Sequence, residues 1–347
     1  MRKLLNILGA MLLTGTASAS IIACGWEHGK LPVSSEFQKV NGWTDTNGEI
    51  RNLVNVNGKL YAGTLTSDNK GKLFKISSAG VVSEVGGWKK DNGSVLSLVN
   101  VNGTVYAGTV HAPGQGKLFK SKTDGAFELV SGWKDTNGSV LSLVNVNGTV
   151  YAGTWAAAEQ GKLFKSKTDG TFELVSGWKE DNGAVFSLVN VNGTVYAGTL
   201  TSDNKGKLFK ISSAGVVSEV GGWKKDNGAI LSLVNVNGTV YAGTWTVAEQ
   251  GKLFKISSAG VVSEVGGWTD TNGEVLSLVN VNGTVYAGTL TSDNKGKLFK
   301  SKTDGTFELV SGWKEDNGSV YSLVNVNGTV YAGTKTANNK GNLYFKS

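Results

Sequence analysis

The chain of 347 residues is poor in the side chains that carry most catalytic and metal chemistry, with one Cys, 2 His, 2 Pro and 2 Met. A single Cys excludes a disulfide framework and a Cys-based zinc site. Two His leave too little for His-based metal ligation or for a repeated acid/base site. No pair of carboxylates stands apart from the rest as a unique site. The expectation is a protein that is not an enzyme and holds neither cofactor nor metal. The formal net charge of +7 comes from 34 basic and 27 acidic residues, the basic ones nearly all Lys. Without Arg2 and Lys3, which sit in a segment expected to be removed, the excess is about +5. That charge is too diffuse to imply a nucleic-acid partner.

What is present begins with an export signal. Met1-Arg2-Lys3 is followed by an apolar run from Leu4 to Leu13 and by small residues leading to Ile21-Ile22-Ala23-Cys24. The run is too short to span a membrane permanently. The segment resembles the lipoprotein signals of mollicutes (mycoplasmas and spiroplasmas). The resemblance implies a signal peptide over 1–23, acylation of Cys24 and a tether over 24–35. Two acyl chains anchor where one is marginal, so the expected location is the cell membrane, lipid-anchored and facing the exterior.

Beyond the tether the sequence is repetition. Trp43, Trp88, Trp133, Trp178, Trp223, Trp268 and Trp313 follow one another at intervals of 45 residues. Each unit reads as four short strands, here given for the unit that begins at Trp133. The first, Ser139 to Val146, meets the second, Thr149 to Thr154, through Asn147-Gly148, the pair most favoured in a two-residue type I′ hairpin. Lys162 to Ser166 and Phe172 to Val175 follow, turned by Thr168-Asp169-Gly170. Units of this length with four antiparallel strands predict β-propeller blades.

The two ends decide between a ring and an open stack. The last unit stops at Ser347 after its third strand, whereas Glu36-Phe37-Gln38-Lys39-Val40-Asn41-Gly42-Trp43 matches the fourth strand and Trp of the unit before it, Thr306 to Trp313. The fold class is therefore all-β, a seven-bladed propeller over 36–347 whose N-terminal strand completes the last blade. The run L-V-N-V-N-G-T-V-Y-A-G-T, with Ser166, Asp169 and Gly170 after it, distantly resembles the blades of Asp-box propellers, the group of sialidases and sortilin-type receptors. The resemblance supports the blade layout. Sialidases of that group hold the substrate carboxylate with three arginines, and Arg51 is the only arginine after Arg2. Sialidase chemistry is thereby excluded.

With the first strand innermost, the links after each Trp and the loops between second and third strands share one face, called upper here. The Asn-Gly hairpins and both chain ends share the lower face. A tether of 12 residues spans at most about 40 Å, which places the lower face toward the membrane. The upper loops are also where the blades differ. Leu65, Leu200 and Leu290 open three of them, Val110-His111 a fourth, Trp155 and Trp245 two more, and Lys335 the last. Binding residues concentrate on loops held by rigid scaffolds, so Trp155, Trp245, His111 and Lys335 are candidate ligand contacts. His111, alone in its loop, has the plainer reading of a surface residue. The seven periodic Trp admit two readings, sugar-stacking platforms or wedges between blades; a residue required in every blade is what architecture demands.

Two functional classes follow. One is a multivalent, adhesin-like or lectin-like binding module, monomeric, with a host glycan or surface protein as partner. The other is a coat or antigen protein built from recent duplications. A glycosidase-like enzyme is a distant third.

Overall fold

A computed structural model describes residues 36–66, 70–156, 160–246, 250–291 and 294–347. The signal segment, Cys24 and the tether lie outside the described residues. Strand β1 (Gln38–Lys39) precedes a first unit of β2 (Glu49–Val56), β3 (Lys59–Leu65), β4 (Leu73–Ile76) and β5 (Val82–Glu84). The same four-strand unit returns as β6–β9 (94–129), β10–β13 (139–174), β14–β17 (184–219), β18–β21 (229–264) and β22–β25 (274–309). Strands β26 (Ser319–Val326), β27 (Thr329–Lys335) and β28 (Leu343–Lys346) end the chain. Among the described residues these form seven four-stranded antiparallel sheets, in the order first to fourth strand within each unit.

The seventh sheet runs β1-β28-β27-β26, so the first strand of the chain closes the last blade. The closing strand is shorter than its sequence match suggested. Gln38 pairs with Phe345 and Lys39 with Tyr344, and Val40 adds one bond from its N–H to the Leu343 carbonyl at 2.8 Å. Beyond it the chain must rise to Trp43, and Gly42 turns it there with φ 79°.

Local chemistry explains each unit. In the hairpins Asn and Gly both take positive φ, as in Asn102 at 50° and Gly103 at 90°, the type I′ geometry that matches strand twist. Each first strand carries a bulge two residues in: Val140 pairs with Thr154 but Ser142 with Gly153, leaving Leu141 without a partner in the ladder. The apolar core is divided into clusters between neighbouring blades. One joins Val56, Leu73, Val85 and Trp88 of the first blade to Val95, Leu98, Val105, Ala107 and Phe119 of the second. Close approach needs the Gly of each Ala-Gly-Thr: a Cβ on Gly153 would lie 2.5 Å from Val185 Cγ1 of the next blade. The cluster at the seam packs Tyr331, Leu343 and Phe345 on Trp43, Ile50 and Phe74, so the ring is sealed there by the same kind of contact as elsewhere.

Candidate binding face and central channel

The first strands surround the axis and enclose a cavity of about 210 Å³ lined by residues from all seven blades. At the bulge position, near the upper mouth, the lining side chains are Arg51, Leu96, Leu141, Phe186, Leu231, Leu276 and Tyr321, all half-buried. Just below, Ser97, Ser142 and Ser277 each donate a hydroxyl hydrogen to the carbonyl of the following blade's Val, at 2.9 to 3.0 Å. Those hydroxyls tie three of the blade interfaces together.

Sevenfold likeness fails most at one junction. Two residues before Arg51, Glu49 stands where other blades have Ser94, Ser139, Ala184, Ala229, Glu274 and Ser319, and it is fully buried. One carboxylate oxygen forms an ion pair with Arg51 Nη2, and the other lies 3.4 Å from Lys335 Nζ of the last blade. The Arg51 guanidinium sits over the Tyr321 ring, 4.4 Å from its centroid, and Lys335 Nζ is 5.7 Å from the same ring. Lys335, the last residue of β27, thus reaches the pair beside the channel mouth. A buried carboxylate is tolerable only with such partners. Sequence reasoning missed Glu49; the signal was an acid at a place that is otherwise Ser or Ala, except for Glu274.

The seven periodic Trp are wedges. Each indole N–H donates to a Gly carbonyl at the start of the third strand of its own sheet: Trp133 to Gly116 at 3.0 Å, and Trp43 to Gly341 of the closing blade at 3.0 Å. Each ring also meets an aromatic of the next blade, for example Trp43 with Phe74 and Trp313 with Tyr344. Trp88, Trp223 and Trp268 are buried like Trp43 and Trp133, and Trp178 and Trp313 are half-buried with the same bonds. The polar atom of each is used and its ring is packed against the next blade.

The loop candidates differ from that wall. Trp155 and Trp245 end their strands opposite Ser139 and Ala229 and are half-buried, neither core nor fully exposed. Trp155 Nε1 is buried and meets no acceptor among the described residues. His111 Nε2 lies 3.6 Å from Asp135, in the link to the next blade. The structure does not bring the four candidates together: each belongs to a separate blade of the ring.

All seven loops nevertheless close alike. The N–H of the residue after the second strand donates to a carbonyl four residues on, from Thr66 to Lys70 at 2.9 Å and from Ala156 to Gln160 at 2.7 Å through to Thr336 to Lys340 at 2.7 Å. Loop lysines reach acids of the following link, as Lys205 does to Asp226 at 3.0 Å and Lys340 to Asp45 at 3.2 Å. These exposed pairs contribute little stability but show loops and links sharing one face.

No family model and no curated protein matches the sequence. Solved structures match the fold. A streptogramin B lyase superposes with a TM-score of 0.69 at 14% identity, over 89% of this chain and 96% of the other. A catalytically inactive variant of virginiamycin B lyase from Staphylococcus aureus, with quinupristin, gives 0.68 at 14% identity, over 89% and 98%. The WD40 propeller domain of Doa1 gives 0.61 at 17% identity, over 89% and 96%. At such identity the likeness is one of fold alone.

Proposed function

We propose that the protein is a membrane-anchored, outward-facing lipoprotein that acts as a multivalent binding propeller, adhesin-like or lectin-like and not catalytic. The observation that carries this reading is the upper face. Seven loops in five different versions are closed by one repeated hydrogen bond on one rigid ring, so side chains can vary without disturbing the frame. Trp155 and Trp245 are half-exposed there and the framework does not require them, since Leu65, Leu200 and Leu290 occupy the same place. Weak sites repeated on one body gain by avidity. Glu36 and Ser347 lie on the opposite face, where a lipid on Cys24 would hold the ring with its loops outward. The partner class is a glycan or a surface protein.

A screen of the chain without residues 1–24 against glycans and matrix proteins tests the reading. Saturable micromolar binding that weakens in the Trp155→Leu, Trp245→Leu double variant supports it. Binding to nothing in the screen favours a coat or antigen role, a reading supported by reuse of the Leu-Thr-Ser-Asp-Asn-Lys loop in three blades.

A further inference from the structure

The channel mouth carries chemistry that neither the ring nor the loops explain. Sister blades show that the framework works with Ser at the place of Glu49, Leu at that of Arg51 and Leu at that of Lys335, yet all three polar residues occur together at one junction. Two cations there meet one carboxylate. Glu49 is fixed and buried, each of its oxygens engaged by one cation, so the group holds a surplus of one positive charge. Half-buried walls screen that charge less than bulk water would. A guanidinium has five N–H donors in a rigid fork, and stacking on Tyr321 fixes its plane. Arg51 spends Nη2 on Glu49 and buries Nε, which leaves Nη1 for a ligand, and its side chain keeps 25% of its surface open beside the cavity.

We propose that this mouth binds one small monocarboxylate per ring, the carboxylate meeting Arg51 and Lys335 and the body of the ligand lying within the collar of Leu96, Phe186 and Tyr321. The cavity of about 210 Å³ is smaller than the roughly 300 Å³ at which drug-sized sites begin, so the ligand is of fragment size. A carboxylate has two oxygens to share between one guanidinium N–H and the Lys335 ammonium. This site lies on the axis and in one copy, and it does not rest on the reading of the peripheral loops.

Benzoate is a suitable probe, with benzamide as its neutral isostere, titrated against the full chain and followed by ligand-observed NMR. One site is expected, with Kd on the order of 1 mM or tighter. Benzamide should bind at least about tenfold more weakly. The Glu49→Ser, Arg51→Leu double variant keeps net charge constant and restores the residues of sister blades; it should lose benzoate by a similar factor. Lys335→Leu, which leaves Arg51 neutralised by Glu49, should weaken benzoate too. Equal binding of benzoate and benzamide, a stoichiometry near seven, or unchanged affinity in both variants overturns the proposal. Should a variant fail to melt cooperatively, the comparison of the two probes on the unaltered chain still decides.

Discussion

Asn55 donates a side-chain N–H to the backbone carbonyl of Asn325, 3.4 Å away in space and 270 residues along the chain. The same bond links Asn100 to Asn55, Asn145 to Asn100 and so on to Asn325 and Asn280, each 45 residues apart. A circle of seven asparagines results, and the bond at the seam is the one that makes it a circle. Each Oδ1 also accepts the N–H of the hairpin Gly, as Asn145 does from Gly148 at 2.8 Å. One side chain therefore fixes both a turn and a blade interface.

Asn145→Ala removes both of those bonds and leaves two backbone groups to find water. The expected cost is about 1–3 kcal/mol. Chemical denaturation of the purified variant measures it, and Asn145→Asp, which keeps the acceptor but not the donor, should fall between the two.

Removing residues 36–43 takes away β1 and with it three buried apolar side chains, Val40 and Trp43 at the seam and Phe37 against the sixth blade. At about 1.5–3 kcal/mol for each side chain, the loss exceeds what any single loop change would cause. Calorimetry should show a melting temperature lower by more than about 10 °C. An unchanged transition would mean that β28 does not need its partner.

Two glycines separate close packing from backbone strain. Gly153→Ala should cost about 1–3 kcal/mol by overpacking, because the new methyl group meets Val185 of the next blade at 2.5 Å. Gly170→Ala meets nothing within 4 Å but sits at φ +81°, so its cost of about 1 kcal/mol is conformational. Urea midpoints of the two variants give the comparison.

Asp304 has its carboxyl lowered to about 2, first by the Thr306 hydroxyl and then by the Thr306 backbone N–H, both of which donate to it. A depressed carboxylate supports the fold above its unfolded value of 3.8, and that support fades as pH falls toward 2. Thr306→Val removes the larger cause, so the carboxyl should titrate closer to the ordinary value. Carbon-detected NMR of the Asp side chains reads the midpoint directly. At the other extreme, burial pushes the Tyr331 phenol up to about 12. Its contribution is present below pH 10 and declines as pH rises toward 12, which absorbance at 295 nm can follow.

The period of the tryptophans, the Asn-Gly turns and the match of Glu36–Trp43 to Thr306–Trp313 made the ring legible from the sequence, because each is local or a matter of counting. The orientation of the tryptophans was not legible. A period of 45 residues says that an indole recurs, not whether its N–H finds water or the carbonyl of Gly116. The cluster at the channel mouth was hidden for a different reason. Simple alternation along β2 is interrupted by the bulge at Arg51, so the face it presents does not follow from its neighbours, and its partner Lys335 was read as part of an outward loop.

The arrangement of the last sheet has a consequence in time. A ribosome produces β1 long before β28, yet the two are hydrogen-bonded neighbours. At roughly 5–20 residues per second, the interval between them is on the order of half a minute. Until β28 is in place, an arc of blades has two raw ends, and each added blade extends it without completing it. Only when β28 is present can β1 find its place, so a product cut short before β28 is left as an unclosed arc whose ends are free to join those of another.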